Sequence, residues 1–474
     1  MSGNEPKAGS RLVRGLVVLA IGVIIWFSPI PAGVKKEAWH LLAIFVATII
    51  GLILTPLPQG AVVIIGVMMA GLTQTLNVGT VLSGFANSTV WLIVSAFLLT
   101  RGFIKTGLGR RIAYLFIRSF GRRTLGLSYA IAASDLVLAP ATPSNTARSG
   151  GIIYPIVRGM ASTFGSEPGE SAKKIGSFLI MAEYQVVVIT TSMFMTAGAA
   201  NPLLVELAKK TANVSISWAV WALAGIVPGL LSLILVPLIL YKIYPPEIKA
   251  TPQASELANR ELKKMGPMKR SEKTLLVVFL IILGLWVTSE WNQLDATVVA
   301  LVGVGIMVLT GVLSWEDVLA EKGSWDALIW FGGLVMMATG LNQLGLMKWV
   351  TSAVGGSVAG LAWLPTLIIL LLFYFYSHYC FASCSAHVSA MFIPLLTVAL
   401  AAKVPPYLAV LTMGLFSGIY AGTTHYGTGP SPIYYNSGYV DLATWWKLGL
   451  IISFVNIVIW LGIGLPWLKV LGLW

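Results

Sequence analysis

Residues 140–155 read PATPSNTARSGGIIYP, and they interrupt an apolar region, 125–160, that is too long and too broken for one straight helix. Two prolines, Pro140 and Pro143, end the incoming helix, because proline lacks an N–H and its ring clashes with the preceding turn. The side chains that can cap a new helix N-terminus follow at once: Ser144, Asn145 and Thr146. The stretch therefore predicts a hairpin of two helices joined at a sharp tip.

The composition predicts that this hairpin lies in a membrane. The 474 residues are 57% hydrophobic and only 10% charged, whereas soluble globular chains carry about 25% charged residues. The net charge of +13 does not indicate nucleic-acid binding, because the basic residues lie in short loops between apolar runs, as the positive-inside rule describes. The lipid bilayer is therefore the expected partner of most of the surface, and no nucleic acid is expected.

Apolar runs of about 17–25 residues have the length that a membrane-spanning helix needs. Eleven such runs are present: 13–30, 38–57, 60–77, 88–105, 176–196, 217–242, 274–289, 296–313, 325–343, 406–423 and 446–470. A second broken apolar region covers 364–400 and predicts a second hairpin. The expected fold is an all-α polytopic membrane protein of eleven spans and two re-entrant hairpins.

Lysine and arginine orient the chain, because they concentrate in cytoplasmic loops. Two segments are strongly basic, 101–123 and 242–273. With the N-terminus inside, both can be cytoplasmic only if region 125–160 enters and leaves on the same side of the membrane. Region 364–400 must then open from the outside, and the C-terminus is expected outside.

The two broken regions match each other in register. Each motif runs from a serine to a proline, Ser144 to Pro155 and Ser383 to Pro394, and the spans before them match at Gly107 and Gly345. The matching spans cross in opposite directions, which is typical of the inverted repeats of secondary transporters. The predicted segments are scaffold spans 1–87, a first repeat 88–244, a cytoplasmic linker with further scaffold spans 245–324, and a second repeat 325–474.

A helix N-terminus inside a membrane presents free N–H groups and about half a positive charge, so it favours anions. Two tips that enter from opposite faces bring two such sites together, and this arrangement suits a dianion. The alternative is that the tip hydroxyls only satisfy backbone groups at a kink. Two further segments rich in Thr, Gly and Pro, 190–202 and 423–432, predict unwound backbone beside a cavity.

Among the ionisable residues within the apolar regions, four are candidates for a role at membrane depth: Asp135, Arg148, Glu183 and His387. Asp135 and Glu183 are expected to form hydrogen bonds between helices, although acids at membrane depth are functional candidates by default. Arg148 and His387 occupy equivalent repeat positions, and we expect both to balance the charge of an anion. We expect His387 also to make transport sensitive to pH, because its protonation supplies the second charge. The alternative is that Arg148 extends to the membrane surface and His387 packs as a neutral ring.

Two stretches carry a resemblance to a known family: PSNTARSGGIIYP at 143–155 and THYGTGPSPIYY at 424–435. The chain resembles the divalent anion:sodium symporter (INDY) family over nearly its whole length. It is most similar to the exchanger branch, which includes bacterial citrate/succinate and tartrate/succinate antiporters and the chloroplast 2-oxoglutarate/malate translocator. The resemblance implies eleven spans, a homodimer, and a transport domain that moves against a scaffold domain.

The resemblance also implies the residues that contact substrate. They form three groups, namely Ser144, Asn145 and Thr146; Ser383, Cys384 and Ser385; and Thr428, Gly429 and Pro430. The matching unwound loop of the first repeat is Thr196, Ala197 and Gly198. The family has an asparagine where this chain has Cys384, and that asparagine helps to build the second sodium site, so sodium coupling is not implied.

The expected function is electroneutral exchange of dicarboxylates or tricarboxylates, such as 2-oxoglutarate, malate or succinate, at a bacterial inner membrane. A sodium-coupled symporter of the same fold is the alternative. An enzyme is not expected, because the sequence contains neither zinc-ligand spacing nor a Gly-x-Ser-x-Gly motif. No cofactor and no metal ligand is predicted, and inverted repeats with broken helices favour a carrier over a channel.

Overall fold

The computed structural model describes residues 8–358 and 362–474. The regular structure within these residues is helical, which confirms the predicted all-α fold. Residues 1–7 and 359–361, which fall in the first and last predicted segments, lie outside the described residues.

The first half of the chain contains the first hairpin and the helices around it. Its helices are α1 (Ala8–Phe27), α2 (Lys36–Leu54), α3 (Gln59–Leu72), α4 (Val78–Leu82), α5 (Ser88–Thr106), α6 (Leu108–Phe120), α7 (Thr124–Leu138), α8 (Tyr154–Thr163), α9 (Gly176–Met193), α10 (Ala200–Ala212) and α11 (Trp218–Ile243). Helices α7 and α8 are the two arms of the hairpin, and the predicted span 176–196 ends where α9 breaks before α10.

The second half begins with an amphipathic helix in the linker and ends with the second hairpin and two further spans. Its helices are α12 (Pro252–Met265), α13 (Arg270–Val287), α14 (Ser289–Asn292), α15 (Ala296–Leu309), α16 (Trp315–Ala320), α17 (Lys322–Gln343), α18 (Leu346–Val358), α19 (Trp363–Ser377), α20 (Cys384–His387), α21 (Ile393–Ala401), α22 (Pro406–Ile419), α23 (Ser431–Tyr435), α24 (Leu442–Gly462) and α25 (Gly464–Val470). Helix α19 is the incoming arm of the second hairpin, and α20 and α21 form the outgoing arm.

The helices have the length and polarity that a bilayer requires. Among the described residues, nine helical segments are long and apolar enough to cross a membrane. Large apolar side chains along α1, such as Leu12 and Phe27, are exposed as lipid-facing residues would be. The chain is a multi-pass membrane protein, and the count of eleven spans stays a prediction.

Both ends of the first hairpin meet the same stretch of linker, residues 247–251. At the start of the hairpin, Thr124 donates its backbone N–H to the carbonyl of Lys249 at 3.0 Å. Just beyond its end, the carbonyl of Lys173 accepts the backbone N–H of Glu247 at 3.0 Å. The hairpin therefore enters and leaves at the same end of the helix bundle, which is the re-entrant arrangement that the basic segments predicted.

The two halves share a local feature after their first spans. Gly107 follows α5 and Gly345 follows α17, both in the left-handed conformation with φ of +79° and +85°, which glycine adopts without steric strain. Each is followed by a helix of 13 residues, α6 and α18. This correspondence supports the predicted repeat, whose inverted arrangement stays a prediction.

A buried carboxylate connects α10 to the start of α5. Glu206 of α10 accepts hydrogen bonds from Asn87 Nδ2 at 2.8 Å and from Thr89 Oγ1 at 2.9 Å. Helix α5 packs along α15, and Thr297 Oγ1 of α15 donates to the carbonyl of Ser88 at 2.9 Å. Glu206 thus joins the broken helix of the first half to the pair formed by α5 and α15.

Candidate functional site

One cavity of about 340 Å³ lies between the two hairpin tips. Most of the predicted substrate-contact residues line it: Ser144, Asn145, Thr146, Gly198, Ser383, Cys384, Ser385, Thr428 and Gly429. Five of the predicted site residues are not among those that line it: Arg148, Thr196, Ala197, His387 and Pro430. The fold therefore brings the two tips and the two unwound segments to one polar space.

The first tip forms because the incoming helix cannot continue through its prolines. Helix α7 ends at Leu138, and one 3₁₀ turn over Ala139–Ala141 contains Pro140. Ser144 Oγ then accepts the backbone N–H of Ala147 at 3.1 Å, which caps the outgoing helix. The N-terminus of that helix points into the cavity through the side chains of the tip.

The second tip breaks without proline. A buried histidine fixes the break, because His378 Nε2 lies 2.7 Å from the carbonyl of Gly427 and its ring stacks on Tyr420 with centroids 4.0 Å apart. Ser383 is extended and caps the outgoing helix by accepting the N–H of Ala386 at 3.4 Å. Small polar residues and aromatic packing thus replace the prolines of the first tip.

The unwound segment of the second half is held against the first half. Asn145 Nδ2 of the first tip donates to Thr428 Oγ1 at 3.0 Å. A methyl group on Gly429 would lie 2.0 Å from Thr146 Oγ1, so only glycine allows this close approach. Gln185 Nε2 of α9 also donates to the carbonyl of Gly422 at 2.8 Å. The cavity is therefore braced by direct contacts between the two halves of the chain.

Each outgoing helix contains a wider, π-helical segment, Thr146–Ile153 in the first hairpin and Val388–Phe392 in the second. Both segments end just before an α-helix whose second residue is proline, Pro155 and Pro394. In a regular α-helix that ring would clash with the carbonyl four residues earlier, and the wider turn relieves this contact. Such segments are frequent at functional sites, and here both lie directly behind a tip.

Arg148 lies fully buried behind the first tip. Its Nε donates to Asp135 Oδ1 at 2.9 Å. Its Nη1 donates to the carbonyls of Thr142 and Ala197, each at 3.0 Å. Its Nη2 donates to two threonine hydroxyls of α9. One guanidinium thus joins the tip, the unwound segment of the first half and α9.

These contacts do not support a charge-balancing role for Arg148, which stays a prediction. The Asp135 carboxylate compensates its charge, so the pair supplies no free positive charge to the cavity. Asp135 also accepts the hydroxyl of Thr190 on α9, which is the hydrogen bonding between helices that the sequence predicted for it. The same prediction for Glu183 is wrong, because neither of its carboxylate oxygens has a hydrogen-bond partner among the described residues. The guanidinium of Arg148 ties the first tip to the unwound segment of the first half, because it binds the backbone carbonyls of Thr142 and Ala197.

The surroundings of His387 are apolar, and its charge-balancing role also stays a prediction. The ring is fully buried, stacks on Tyr374 with centroids 4.7 Å apart and contacts Phe381. Its Nε2 lies 2.9 Å from Ser377 Oγ. No carboxylate of the described residues forms a salt bridge or hydrogen bond with it, and this apolar setting suits the neutral ring that the sequence left as the alternative.

The wall of the cavity opposite the tips was missed by sequence analysis. It is formed by Gln59 of α3, Phe97 of α5, and Gly323, Asp326 and Trp330 of α17. Asp326 lies beside Gly60, in the first turn of α3. An acid in the first turns of an apolar span was the available signal, and the same argument that singled out Asp135 and Glu183 applies to it.

Residues 9–474 of this chain match the sequence family described as the transmembrane region of sodium:sulfate symporters. The chain belongs to the sodium:sulfate symporter family. The match confirms the resemblance to divalent anion:sodium symporters that the tip motifs predicted. It also confirms that the chain is a membrane transporter and not an enzyme.

Two relatives of this member of the sodium:sulfate symporter family are similar to it over most or all of their own length. The protein YflS of Bacillus subtilis (strain 168), described as a candidate malate transporter, is 51% identical over 476 residues, which cover 99% of this chain and 100% of YflS. The chloroplastic dicarboxylate transporter 1 of Arabidopsis thaliana is 47% identical, over 99% of this chain and 85% of its own.

The fold of this family member is also similar to a solved structure. The YdaH transporter of Alcanivorax borkumensis superposes with a TM-score of 0.56 over 97% of this chain and 98% of that chain. The two sequences are only 13% identical, so the likeness shows the fold and carries no statement about substrate.

Proposed function

We propose that this protein exchanges dicarboxylate anions across the cytoplasmic membrane of a bacterium by alternating access. The observation that supports the proposal most strongly is the meeting of two capped helix N-termini in one cavity. The relatives described as transporters of malate or dicarboxylates favour the same class of substrate. The N-terminus is proposed to be cytoplasmic and the C-terminus to be outside.

The geometry of the site suits an anion with two carboxylates. Each helix N-terminus contributes free N–H groups and about half a positive charge, and the two termini approach the cavity from different hairpins. The cavity volume of about 340 Å³ lies at the small end of the range for small-molecule sites, about 300–1,000 Å³. A C4–C6 acid would span the two tips, with one carboxylate at each.

Each tip contributes hydroxyl and amide groups around its helix terminus. In the proposal, Ser144, Asn145 and Thr146 bind one carboxylate, while Ser383, Cys384 and Ser385 surround the other. Thr428 and Gly429 approach the first tip from the second half, so they contact the substrate and transmit its presence between halves. The unwound loop Thr196–Gly198 holds the first tip through the carbonyl of Ala197.

Exchange without sodium is proposed on two observations. At the second tip, Cys384 replaces the asparagine that the resemblance associates with a sodium site. At the first tip, Arg148 Nη1 already binds the carbonyl oxygens of Thr142 and Ala197, which are the kind of ligand that a hard cation needs. An empty carrier would carry two helix termini without an anion, and this opposes its return across the membrane.

The proposed motion places the two tips on one body, and Gln59 of α3 and Phe97 of α5 in the opposite wall on another. The hairpins and the broken helices, α7–α10 and α19–α23, would move together. The scaffold would comprise α1–α3, α13 and α15, with α5 added because it packs along α15. A homodimer through the scaffold is part of the proposal, as the family resemblance implies.

The exchange proposal makes a direct prediction for purified protein in liposomes. Uptake of labelled malate should require malate inside the vesicles, because the empty carrier returns poorly. Replacing external sodium with choline should leave the rate unchanged. The measurement is the initial rate of uptake in vesicles with and without internal malate, in each salt.

The sodium-coupled symporter, favoured by the description of the matched family, predicts the reverse. It would take up malate into empty vesicles and would lose uptake in choline. That pair of results would exclude exchange, and empty liposomes without protein provide the leak rate to subtract.

The tips make a second prediction. Thr146→Ala and Ser383→Ala should each raise the malate concentration for half-maximal exchange about tenfold or more, because each removes a hydrogen bond to a carboxylate. The measurement is the concentration dependence of exchange, with the amount of folded protein checked by size-exclusion chromatography. Wild-type affinity in both variants would place the substrate site elsewhere.

Matched controls exist for both tip variants. Thr397 and Ser134 are buried in the arms of the two hairpins, where their hydroxyls donate to the carbonyls of Ile393 and Ala130. Thr397→Ala and Ser134→Ala remove the same chemical groups without touching the cavity. Both should retain the wild-type malate affinity.

A further inference from the structure

Glu183 is a buried acid without a hydrogen-bond partner. It lies in the middle of α9, a helix whose every residue is buried, and its own exposed fraction is 2%. Among the described residues, no hydrogen-bond partner lies within reach of either of its carboxylate oxygens. An ionised carboxylate in that setting is strongly unfavourable, because no hydrogen bond replaces the hydration that it loses on burial.

The nearby cation is already fully engaged. Glu183 interacts electrostatically with Arg148 and Asp135, but Arg148 makes its ion pair with Asp135 at 2.9 Å. The other nitrogens of Arg148 donate to carbonyls and threonine hydroxyls. With one arginine and two acids, the cluster is neutral only if one acid carries a proton, and Glu183 is the acid without a partner.

Hydroxyl groups of other elements complete the cluster. Tyr434 of α23 interacts with Glu183, Asp135 and Arg148. Its phenol oxygen and the hydroxyl of Ser149 are also buried and have no hydrogen-bond partner by distance and angle among the described residues. Four chain segments, α7, the first π-helical segment, α9 and α23, thus direct polar groups to one enclosed place.

Other elements packed against α9 bring few ionisable groups. The ionisable side chains of α11 are in its last turn, Tyr241 and Lys242, and α22 has Tyr407 alone, in its first turn. Helix α8 contributes Tyr154, whose ring packs on Tyr434 with centroids 5.2 Å apart, and Arg158 one turn further on. The balance of charge at Glu183 is therefore decided by Asp135 and Arg148.

We propose that Glu183 is a proton-binding site that controls the first tip through Arg148. With the proton bound, Asp135 is the only carboxylate that attracts the Arg148 guanidinium, which can then bind the carbonyls of Thr142 and Ala197. When the proton leaves, a second carboxylate competes for the guanidinium and weakens its hold on those carbonyls. The proton thus becomes a second ligand of the carrier, bound behind the anion site and outside the cavity.

The inference rests on the proposed function for its consequence, which is that alkaline pH weakens substrate binding. Loss of the Arg148 contacts loosens the helix terminus that receives one carboxylate. The dissociation constant for malate should therefore rise as pH increases, at least about tenfold once the site has lost its proton, the effect of one hydrogen bond to a charged group. The effect should appear in a range where malate is already fully ionised.

The test measures malate binding by calorimetry to the detergent-purified protein from mildly acidic to alkaline pH. The wild type should lose affinity as pH rises, whereas Glu183→Gln, which is permanently neutral, should bind equally at every pH. Glu206→Gln is the matched control. Glu206 is equally buried, but Asn87 and Thr89 donate to its carboxylate, so this variant should keep the wild-type profile.

A second measurement needs no malate and no transport. Infrared difference spectra between acidic and alkaline pH should show the C=O band of a protonated carboxylic acid in the wild type and not in Glu183→Gln. Equal pH profiles of the wild type and Glu183→Gln, or the same infrared band in both, would overturn the proton site. So would binding that changes with sodium and not with pH. A symporter result in liposomes would overturn only the exchange proposal.

Discussion

Replacing Arg148 with alanine is expected to abolish malate exchange. The variant leaves Asp135 as a buried charge without its partner, and loss of one partner of a buried pair costs about 3–5 kcal/mol. It also frees the tip carbonyl of Thr142 from the unwound segment at Ala197. A protein of ordinary stability, about 5–15 kcal/mol, would be strongly destabilised, and any folded fraction would lack an ordered first tip. Exchange rate per folded molecule is the quantity to measure.

Two further variants separate stability from function. Arg111→Ala breaks another buried pair, in which Arg111 Nε lies 2.7 Å from Glu272 Oε1, away from the cavity. It should lose stability but keep malate affinity in the folded fraction. The double variant Asp135→Asn/Arg148→Met removes both charges, so it should recover folded protein without recovering exchange. Wild-type affinity in the folded double variant would show that Arg148 does not position the tip.

A crosslink between Asn87 and Glu206 is expected to stop transport completely. The two side chains are hydrogen-bonded in this structure, and they lie on the proposed scaffold and the proposed moving body. Cysteines at both positions, joined by a short bis-maleimide, would hold α10 against the start of α5. Transport requires these parts to separate if the hairpins move as one body, so the joined protein should bind malate and fail to exchange it.

The crosslink needs a background without the natural cysteines. Cys380 is exposed and Cys384 lines the cavity, so both are replaced first and the resulting protein is tested for exchange. Each single cysteine with the same reagent provides the control for modification alone. Continued exchange by protein that is fully crosslinked would contradict motion between these two bodies.

The spans and the hairpins could be predicted because they are indicated by the composition of the chain and by the breaks within its apolar runs. Apolar runs locate the spans, and Pro140 and Pro143 mark the first tip within a few residues. The second break was also placed, although its structural cause was not visible. His378 and Tyr420 fix that break, and their positions in sequence give no sign that they stack. Helices α6, α12 and α18 were missed, because at 13, 14 and 13 residues they are shorter than the apolar runs that mark a span.

The site was predicted where its residues are consecutive and missed where they come from distant segments. The tip residues form motifs and were identified from them. The pairing of Arg148 with Asp135 joins residues on two arms of one hairpin, and its contact with Ala197 spans a much longer separation. Phe97 and Trp330 reach the cavity only through the packing of α5 and α17. Such contacts depend on tertiary structure, which one sequence does not reveal.

The residues that line the cavity, all of them in the described part of the chain, include no lysine or arginine. In the proposed function, an anion would therefore be held by partial charges at two helix ends, each favouring it by about 0.3–1 kcal/mol at exposed sites, and by hydroxyl groups. Binding of this kind is modest; a dissociation constant of about 1 mM corresponds to only −4.1 kcal/mol. Under the proposed function, such weak binding would shorten the residence time of the substrate, so that release after each crossing would be fast.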